Sequence, residues 1–285
     1  MTRDSNLISV EELAARLESP DLRIIDCRFD LADTSARRRS YHDAHIPGAV
    51  YAHLDDDLAA PVTHDTGRHP LPAAGTFAET CERLGISNTT EVVVYDSDSG
   101  ALASRAWWML RWLGHARVRL LDGGFTRWVQ LSNPTVRGTE TPEPGEFVAS
   151  PRPDWLLTTA ELASNIARIP TLNLYDARDA ARFRGEHEPI DPVAGHIPGS
   201  LNLPYAVSLA ADGRWKSAAE LEALWGVVLG DDQTKPWAVM CGSGVTACHL
   251  ALSAAEAGYS PPRLYVGSWS EWIRDPARPI GRGEH

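Results

Sequence analysis

Four short motifs occur twice along these 285 residues, the second copy following the first at a nearly fixed distance. Ser9-Val10-Glu11-Glu12-Leu13 is answered by Thr158-Thr159-Ala160-Glu161-Leu162, and both read as capping boxes that open a helix. Ile25-Asp26-Cys27-Arg28 returns as Tyr175-Asp176-Ala177-Arg178, and His45-Ile46-Pro47-Gly48 as His196-Ile197-Pro198-Gly199. Toward the end of each copy, Gly123-Gly124-Phe125-Thr126-Arg127-Trp128 matches Gly267-Ser268-Trp269-Ser270-Glu271-Trp272. Repetition at this period means one domain written twice. We divide the chain into an N-terminal domain over residues 1–140, a linker over 141–153 where Pro and Gly cluster without apolar periodicity, and a C-terminal domain over 154–285.

Within each copy, short apolar runs alternate with longer amphipathic stretches. In the second, Thr171 to Tyr175, Trp237 to Met240 and Arg263 to Val266 read as buried strands, with Ser217 to Leu229 and Val245 to Ala257 as helices. Alternation of this kind predicts an α/β fold, each domain a parallel sheet with helices on both faces. Such sheets bind ligands beyond the carboxyl ends of their strands. The Asp-x-Arg pairs Asp26/Arg28 and Asp176/Arg178 follow strands and read as internal ion pairs. Trp107, Trp108, Trp112, Trp128, Trp269 and Trp272 fall on helix-like segments and read as packing residues.

The formal net charge of −11 argues against a nucleic-acid surface, which needs an excess of Lys and Arg. No apolar run approaches the ~18 residues that span a bilayer, and the start Met1-Thr2-Arg3-Asp4-Ser5-Asn6 has no apolar core. The expected location is the cytoplasm, with neither a membrane nor a nucleic acid as partner. The four cysteines show no Cys-x-x-Cys spacing, so no zinc site or redox dithiol is expected, and no metal or organic cofactor is implied.

Cys27, Cys81 and Cys248 sit in strand-like or helix-like segments and read as small buried hydrophobes. Cys241 differs. It ends the run Pro236 to Met240 and opens Gly242-Ser243-Gly244-Val245-Thr246, which leads into a helix. A thiol on a strand-to-helix turn lies where unpaired backbone N–H groups and the positive helix end converge, which favours a thiolate and any anion beside it. The first copy carries Asp96 at the matching place, so it reads as a scaffold without a nucleophile of its own.

Together, the duplicated Asp-x-Arg, His-Ile-Pro-Gly and Gly-Gly/Gly-Ser-x-x-x-Trp motifs and the loop Cys241-Gly242-Ser243-Gly244-Val245-Thr246 resemble the two-domain rhodanese family of sulfurtransferases, over nearly the whole chain. The resemblance implies an inactive N-terminal rhodanese domain, a catalytic C-terminal one, and a loop cysteine that carries sulfur as a persulfide. The wording Cys-Gly-Ser-Gly-Val-Thr is similar to 3-mercaptopyruvate sulfurtransferases; thiosulfate sulfurtransferases typically carry Cys-Arg-Lys-Gly-Val-Thr. No cation stands between Cys241 and Thr246, which suits a monoanionic keto acid better than dianionic thiosulfate.

By the same resemblance Arg182 grips the donor carboxylate, and Ser243 and His45 are two members of a Ser-His-Asp proton relay whose third member is not placed; Asp33 is merely the nearest carboxylate upstream. His45 is equally readable as a structural turn, since His196 repeats it. The N–H groups of Gly242, Gly244, Val245 and Thr246 would hold the outer sulfur, and Thr246 would either cap the following helix or support the persulfide through its hydroxyl. Mercaptopyruvate enzymes are expected to carry a second arginine nine residues after Arg182; Asp191 stands there, leaving Arg184 or Arg68 as substitutes. The expected partners are a small anionic sulfur donor and a thiol, cyanide, sulfite or thioredoxin-like acceptor.

Three other functions compete. A cysteine phosphatase needs an arginine after five intervening residues, where this chain has Ala247. A non-enzymatic binding or regulatory module would be expected to have lost the thiol. A thiosulfate:cyanide sulfurtransferase differs only in its donor.

Overall fold

The computed structural model describes residues 5–166, 172–230 and 235–284. Among the described residues, ten strands form two separate five-stranded sheets, parallel throughout. β1 (Leu7–Ile8), β2 (Leu22–Asp26), β3 (Ala49–Tyr51), β4 (Glu91–Tyr95) and β5 (Val118–Leu121) take the order β1-β5-β4-β2-β3; β6 (Leu156–Leu157), β7 (Asn173–Asp176), β8 (Leu201–Asn202), β9 (Trp237–Met240) and β10 (Arg263–Tyr265) repeat it as β6-β10-β9-β7-β8. The sequence repeat is therefore a repeat of topology.

The residues make two compact units. One takes in residues up to Ala60, Pro72–Arg152 and Leu209–Trp215; the other takes in Pro61–Leu71, Pro153–Ser208 and residues from Lys216 onward. Each unit thus includes a short segment from the other half of the sequence. The Pro-rich stretch read as a linker is packed along the first unit: Gly145 donates to the Glu82 carbonyl at 2.8 Å, Ser150 to Leu113 at 2.9 Å and Arg152 to Trp112 at 3.0 Å. Phe147 is buried there.

The central strands explain the covered sheets. Every residue of β4, Glu-Val-Val-Val-Tyr, is buried, as are Ala238, Val239 and Met240 of β9, so neither face of these strands meets water. Corresponding residues fill the two cores. Leu13, Ile24, Ile46, Tyr95 and Trp128 pack in the first; Leu162, Leu174, Ile197, Met240 and Trp272 pack in the second. Burying each such side chain contributes roughly 1.5–3 kcal/mol relative to exposure. Trp107, Trp108 and Trp269 are likewise fully buried, and Trp112 is nearly so.

The strand expectations hold with shifts of one or two residues: Asn173–Asp176 for Thr171 to Tyr175, with Thr171 outside the described residues, and Arg263–Tyr265 for Arg263 to Val266. The helix Ala218–Leu229 begins at a reciprocal capping box between Ser217 and Glu220. Thr158 and Glu161 make another, the threonine Oγ1 accepting from the Glu161 N–H while the glutamate takes the Thr158 N–H. Ser9 caps only one way, accepting from the Glu12 N–H, because the Glu12 carboxylate is drawn to Arg119 at 2.6 Å.

The Asp-x-Arg motifs are internal ion pairs. Arg28 binds Asp26 through Nη2 at 2.6 Å and the Ala44 carbonyl at 2.8 Å; Arg178 binds Asp176 at 2.7 Å and the Gly195 carbonyl at 2.8 Å. All four residues are buried, so removing one partner would strand a charge.

The His-Ile-Pro-Gly motifs are structural in the same doubled way. Nδ1 of His45 lies 2.8 Å from the Tyr41 carbonyl, and Nδ1 of His196 lies 2.9 Å from that of Phe183. Each ring stacks on the same residue, at centroid distances of 4.1 and 4.0 Å. Each backbone bridges a distant segment, Val136 or Gly281.

Candidate active site

Cys241 is the first residue beyond β9, the middle strand of the second sheet, and the helix Ala247–Glu256 follows six residues later. The turn between them is fixed from below by the segment after β10. The Cys241 N–H donates to Ser268 Oγ at 3.1 Å, and that hydroxyl donates to the Tyr265 carbonyl at 2.8 Å. Trp269 and Ser270 N–H groups close on the Cys241 and Gly242 carbonyls at 3.0 and 2.9 Å. Gly244 must be glycine. Its φ is +76°, and a Cβ there would stand 2.5 Å from the Val266 carbonyl oxygen.

Within this turn the sulfur faces an amide. The Gly244 N–H donates to Cys241 Sγ at 3.2 Å, and the cysteine is 2% exposed. The other thiols lie in different surroundings. Burial pushes Cys81 up to about 12, and burial with the Asp26 and Asp96 charges pushes Cys27 well above the ordinary thiol range. Cys248 donates its S–H to the Gly244 carbonyl at 3.3 Å, inside the helix. Thr246 occupies the cap position of that helix, but its side chain makes no capping hydrogen bond.

Ser243 has an imidazole partner, and it is His69 rather than His45. Ser243 Oγ and His69 Nδ1 are 2.8 Å apart and both residues are buried. His45 belongs to the first unit, stacked on Tyr41 as described, because the repeated motif builds a turn. Asp33 is an exposed turn carboxylate, held near pKa 2 first by Arg39 and then by the Ser35 hydroxyl.

His69 is carried by residues 61–71, which pack with the second unit although they lie in the first half of the sequence. Gly67 makes the approach possible: a Cβ there would sit 2.6 Å from the Gly267 carbonyl oxygen. Next to it, the Arg68 N–H donates to Ser270 Oγ at 3.0 Å, and Arg274 Nε donates to the Thr66 carbonyl at 3.1 Å.

Arg68 and Arg182 converge over the loop. A Cβ on Gly242 would lie 3.2 Å from Arg68 Nη2, 3.5 Å from Arg182 Nη2 and 3.7 Å from Asp191 Oδ2. Asp191 joins the two: its Oδ1 accepts from Arg68 Nη1, and its Oδ2 accepts from Arg182 Nη2 at 3.2 Å. Glu188 accepts from Arg182 at 2.8 Å and from Arg178 at 3.4 Å. Burial opposes the charge on Arg178, yet Asp176, Glu188 and the nearby Cys241 outweigh it and raise the guanidinium pKa. Arg184 pairs with Glu186 on the surface and takes no part in these contacts; Arg68 is the second arginine at the loop.

The fold and this turn define a class: a tandem α/β protein in which one domain presents a cysteine at the head of a helix and its twin presents a carboxylate. A family model for the Rhodanese-like domain matches residues 9–131 and 158–275. A probable 3-mercaptopyruvate sulfurtransferase of Pseudomonas aeruginosa is 44% identical over 282 residues, covering 98% of this chain and 99% of that protein. A putative thiosulfate sulfurtransferase, SseB of Mycobacterium tuberculosis, is 38% identical, covering 99% of this chain and 98% of that one. The crystal structure of SseA from Escherichia coli, described among 3-mercaptopyruvate sulfotransferases, superposes with a TM-score of 0.81 at 32% identity, covering 94% of this chain and all of that one. The chain belongs to the rhodanese family, as a member with two rhodanese-like domains.

No described helix is long and apolar enough to cross a membrane.

Proposed function

We propose that this protein is a sulfurtransferase that takes the sulfur of 3-mercaptopyruvate onto Cys241 and passes it to a thiol, cyanide or sulfite. The observation that carries the reading is the contact of the Gly244 N–H with Cys241 Sγ at 3.2 Å, beneath two arginines at Gly242.

The Cys241 thiolate attacks the donor sulfur. A Cys241–sulfur bond forms as the donor carbon–sulfur bond breaks, and the electron pair passes into the adjacent carbonyl as the enolate of pyruvate. The donor's own S–H proton stays on the new persulfide, so the enolate must be protonated from elsewhere. Ser243, hydrogen-bonded to His69, is the group suited to polarise the donor carbonyl and deliver that proton. The main chain from Gly242 to Thr246 and the helix end stabilise the Cys241 thiolate before attack and again on its release, and hold the persulfide between. Arg182, with Arg68 in place of the second arginine, orients the donor carboxylate. An acceptor thiolate then attacks the outer sulfur and releases the Cys241 thiolate.

Thiosulfate is the alternative donor. The Mycobacterium relative's name favours it; the lack of a cation between Cys241 and Thr246 favours the keto acid. A binding or regulatory module has less support, because the thiol is retained on an intact turn. Four cysteines, none of them in a disulfide, suit a reducing cytoplasm, where thiol acceptors are abundant.

Sulfide and thiocyanate production should be followed with both donors in wild type and Cys241→Ser. The reading requires higher kcat/KM with 3-mercaptopyruvate and loss of both activities in the variant. Equal or better use of thiosulfate overturns the donor assignment, and residual activity in the variant overturns the site.

A further inference from the structure

The cations at the mouth of the Cys241 loop already hold a carboxylate. Arg68 and Arg182 each bind one oxygen of Asp191, which is 7% exposed, and all three side chains lie about the same point, the space over Gly242. The Asp191 backbone N–H is tied in turn to Glu188 at 3.1 Å, so the carboxylate is anchored as well as paired. Counting the linked groups, Arg68, Arg178 and Arg182 are matched by Asp176, Glu188 and Asp191, three charges of each sign. The mouth therefore offers an incoming donor two guanidinium groups but no surplus charge, and a thiolate at Cys241 makes the local sum negative.

We propose that Asp191 is a specificity-determining residue: an internal carboxylate that neutralises the Arg68–Arg182 pair, holds both guanidinium groups over Gly242, and so selects donors with a single negative charge. The proposal rests on the sulfurtransferase reading and deepens it. A monoanionic donor that shares the two guanidinium groups with Asp191 adds a single negative charge to the balanced mouth. A dianion brings one more negative charge into a half-buried place where charges are weakly screened, so it is disfavoured by a factor that a cationic site would reverse. Asp191 acts through the two arginines rather than on the reacting atoms, so its effect belongs in donor affinity more than in turnover.

The test uses two variants that move the charge in opposite directions. Asp191→Asn leaves the mouth one charge more positive, and Arg68→Gln leaves it one charge more negative. Calorimetric titration with sulfate and with pyruvate, neither of which donates sulfur, reads the selectivity without the reaction. Relative to wild type, the sulfate-to-pyruvate affinity ratio is expected to rise about tenfold in Asp191→Asn and to fall in Arg68→Gln. With cyanide as acceptor, the ratio of kcat/KM for thiosulfate to that for 3-mercaptopyruvate should follow the same order, mostly through KM, while Asp191→Glu keeps the wild-type preference. A sulfate-to-pyruvate ratio that stays fixed in both variants overturns the proposal, and so does one that moves the same way in both. If neither donor is turned over, the sulfurtransferase reading fails, but the titrations still decide the role of Asp191. If Asp191→Asn does not fold, Arg68→Gln and Asp191→Glu decide it by the same ratio.

Discussion

Asp96 and Cys241 hold the same place in the two domains. Each is the first residue after the middle strand, and each carbonyl accepts from the second residue after the glycine that opens the next turn, Phe125 at 2.9 Å and Trp269 at 3.0 Å. The following residues repeat the match, Thr126 N–H to Ser97 and Ser270 N–H to Gly242. What differs is the atom placed in the turn. In the first domain the Asp96 carboxylate accepts from the N–H groups of Asp98, Gly100, Leu102 and Ala103 at 2.8–3.1 Å. The first domain thus fills this turn of inward N–H groups with its own carboxylate.

Asp96→Ala should therefore destabilise the first domain by at least about 2 kcal/mol, since four inward N–H groups lose a buried acceptor. Asp96→Asn, which keeps one acceptor oxygen, should fall between. Urea unfolding of the full chain measures both; an Asp96→Ala midpoint equal to wild type would mean that the turn is held by its other contacts.

Ser268 supports the second turn under strain. Its φ is +54°, where the first domain has Gly124 at +55°, and its hydroxyl is the acceptor for the Cys241 N–H. Ser268→Gly loses the acceptor but relaxes the backbone, while Ser268→Ala loses the acceptor and keeps the strained Cβ. The alanine variant should be less stable than the glycine variant by about 1–2 kcal/mol. Thermal unfolding of the two, side by side, reverses this order only if the serine backbone is relaxed in solution.

Much of this organisation was readable in advance, and the exceptions share a cause. The parallel sheets, the two ion pairs and the Cys241 turn all follow from local runs: valines in Glu91–Tyr95, Asp26 two residues from Arg28, glycines after a strand-ending cysteine. His69 was not readable as a site residue, and Arg68 entered only as one of two substitutes for the arginine missing at position 191. They sit between Pro61 and Pro72 in a stretch without apolar period, about 170 positions before Ser243, and tertiary contacts such as the packing of Gly67 on Gly267 join them to it. The one hint was the Gly-Arg-His run itself. His45 drew attention because its motif repeats, yet repetition in a domain without a nucleophile is a sign of fold rather than chemistry. His196, stacked on Phe183 as His45 is on Tyr41, makes the same point.

The 2.8 Å contact of His69 with Ser243 should be an energetic unit during turnover. Ser243→Ala and His69→Asn are each expected to lower kcat for 3-mercaptopyruvate by about 10²–10⁴, the usual range for a lost proton-transfer group. The double variant should lose little more than either single one, so the coupling in the cycle nearly equals one single-variant loss, about 3–5 kcal/mol. Additive losses would show that the two residues act separately, and unchanged kcat in both would remove them from the proton path.

Glu188 gives the second domain a predictable acid limb. Burial alone would raise its carboxyl pKa, but the Arg182 guanidinium and the Asp191 and Ile190 N–H groups outweigh burial and lower it. The folded pKa thus lies below the unfolded value, and near its own titration range the unfolded chain binds more protons. The stabilisation is present in full above the ordinary glutamate pKa of about 4.3 and is lost as pH falls through the folded value. Glu188→Gln removes that dependence, so the stability gap between wild type and variant should shrink as the pH drops from 6 toward 3.5. Guanidinium chloride unfolding along this range reads the gap directly. A gap that is constant with pH would mean that the glutamate contributes through packing and hydrogen bonds to its neutral form, not through its charge on Arg178 and Arg182.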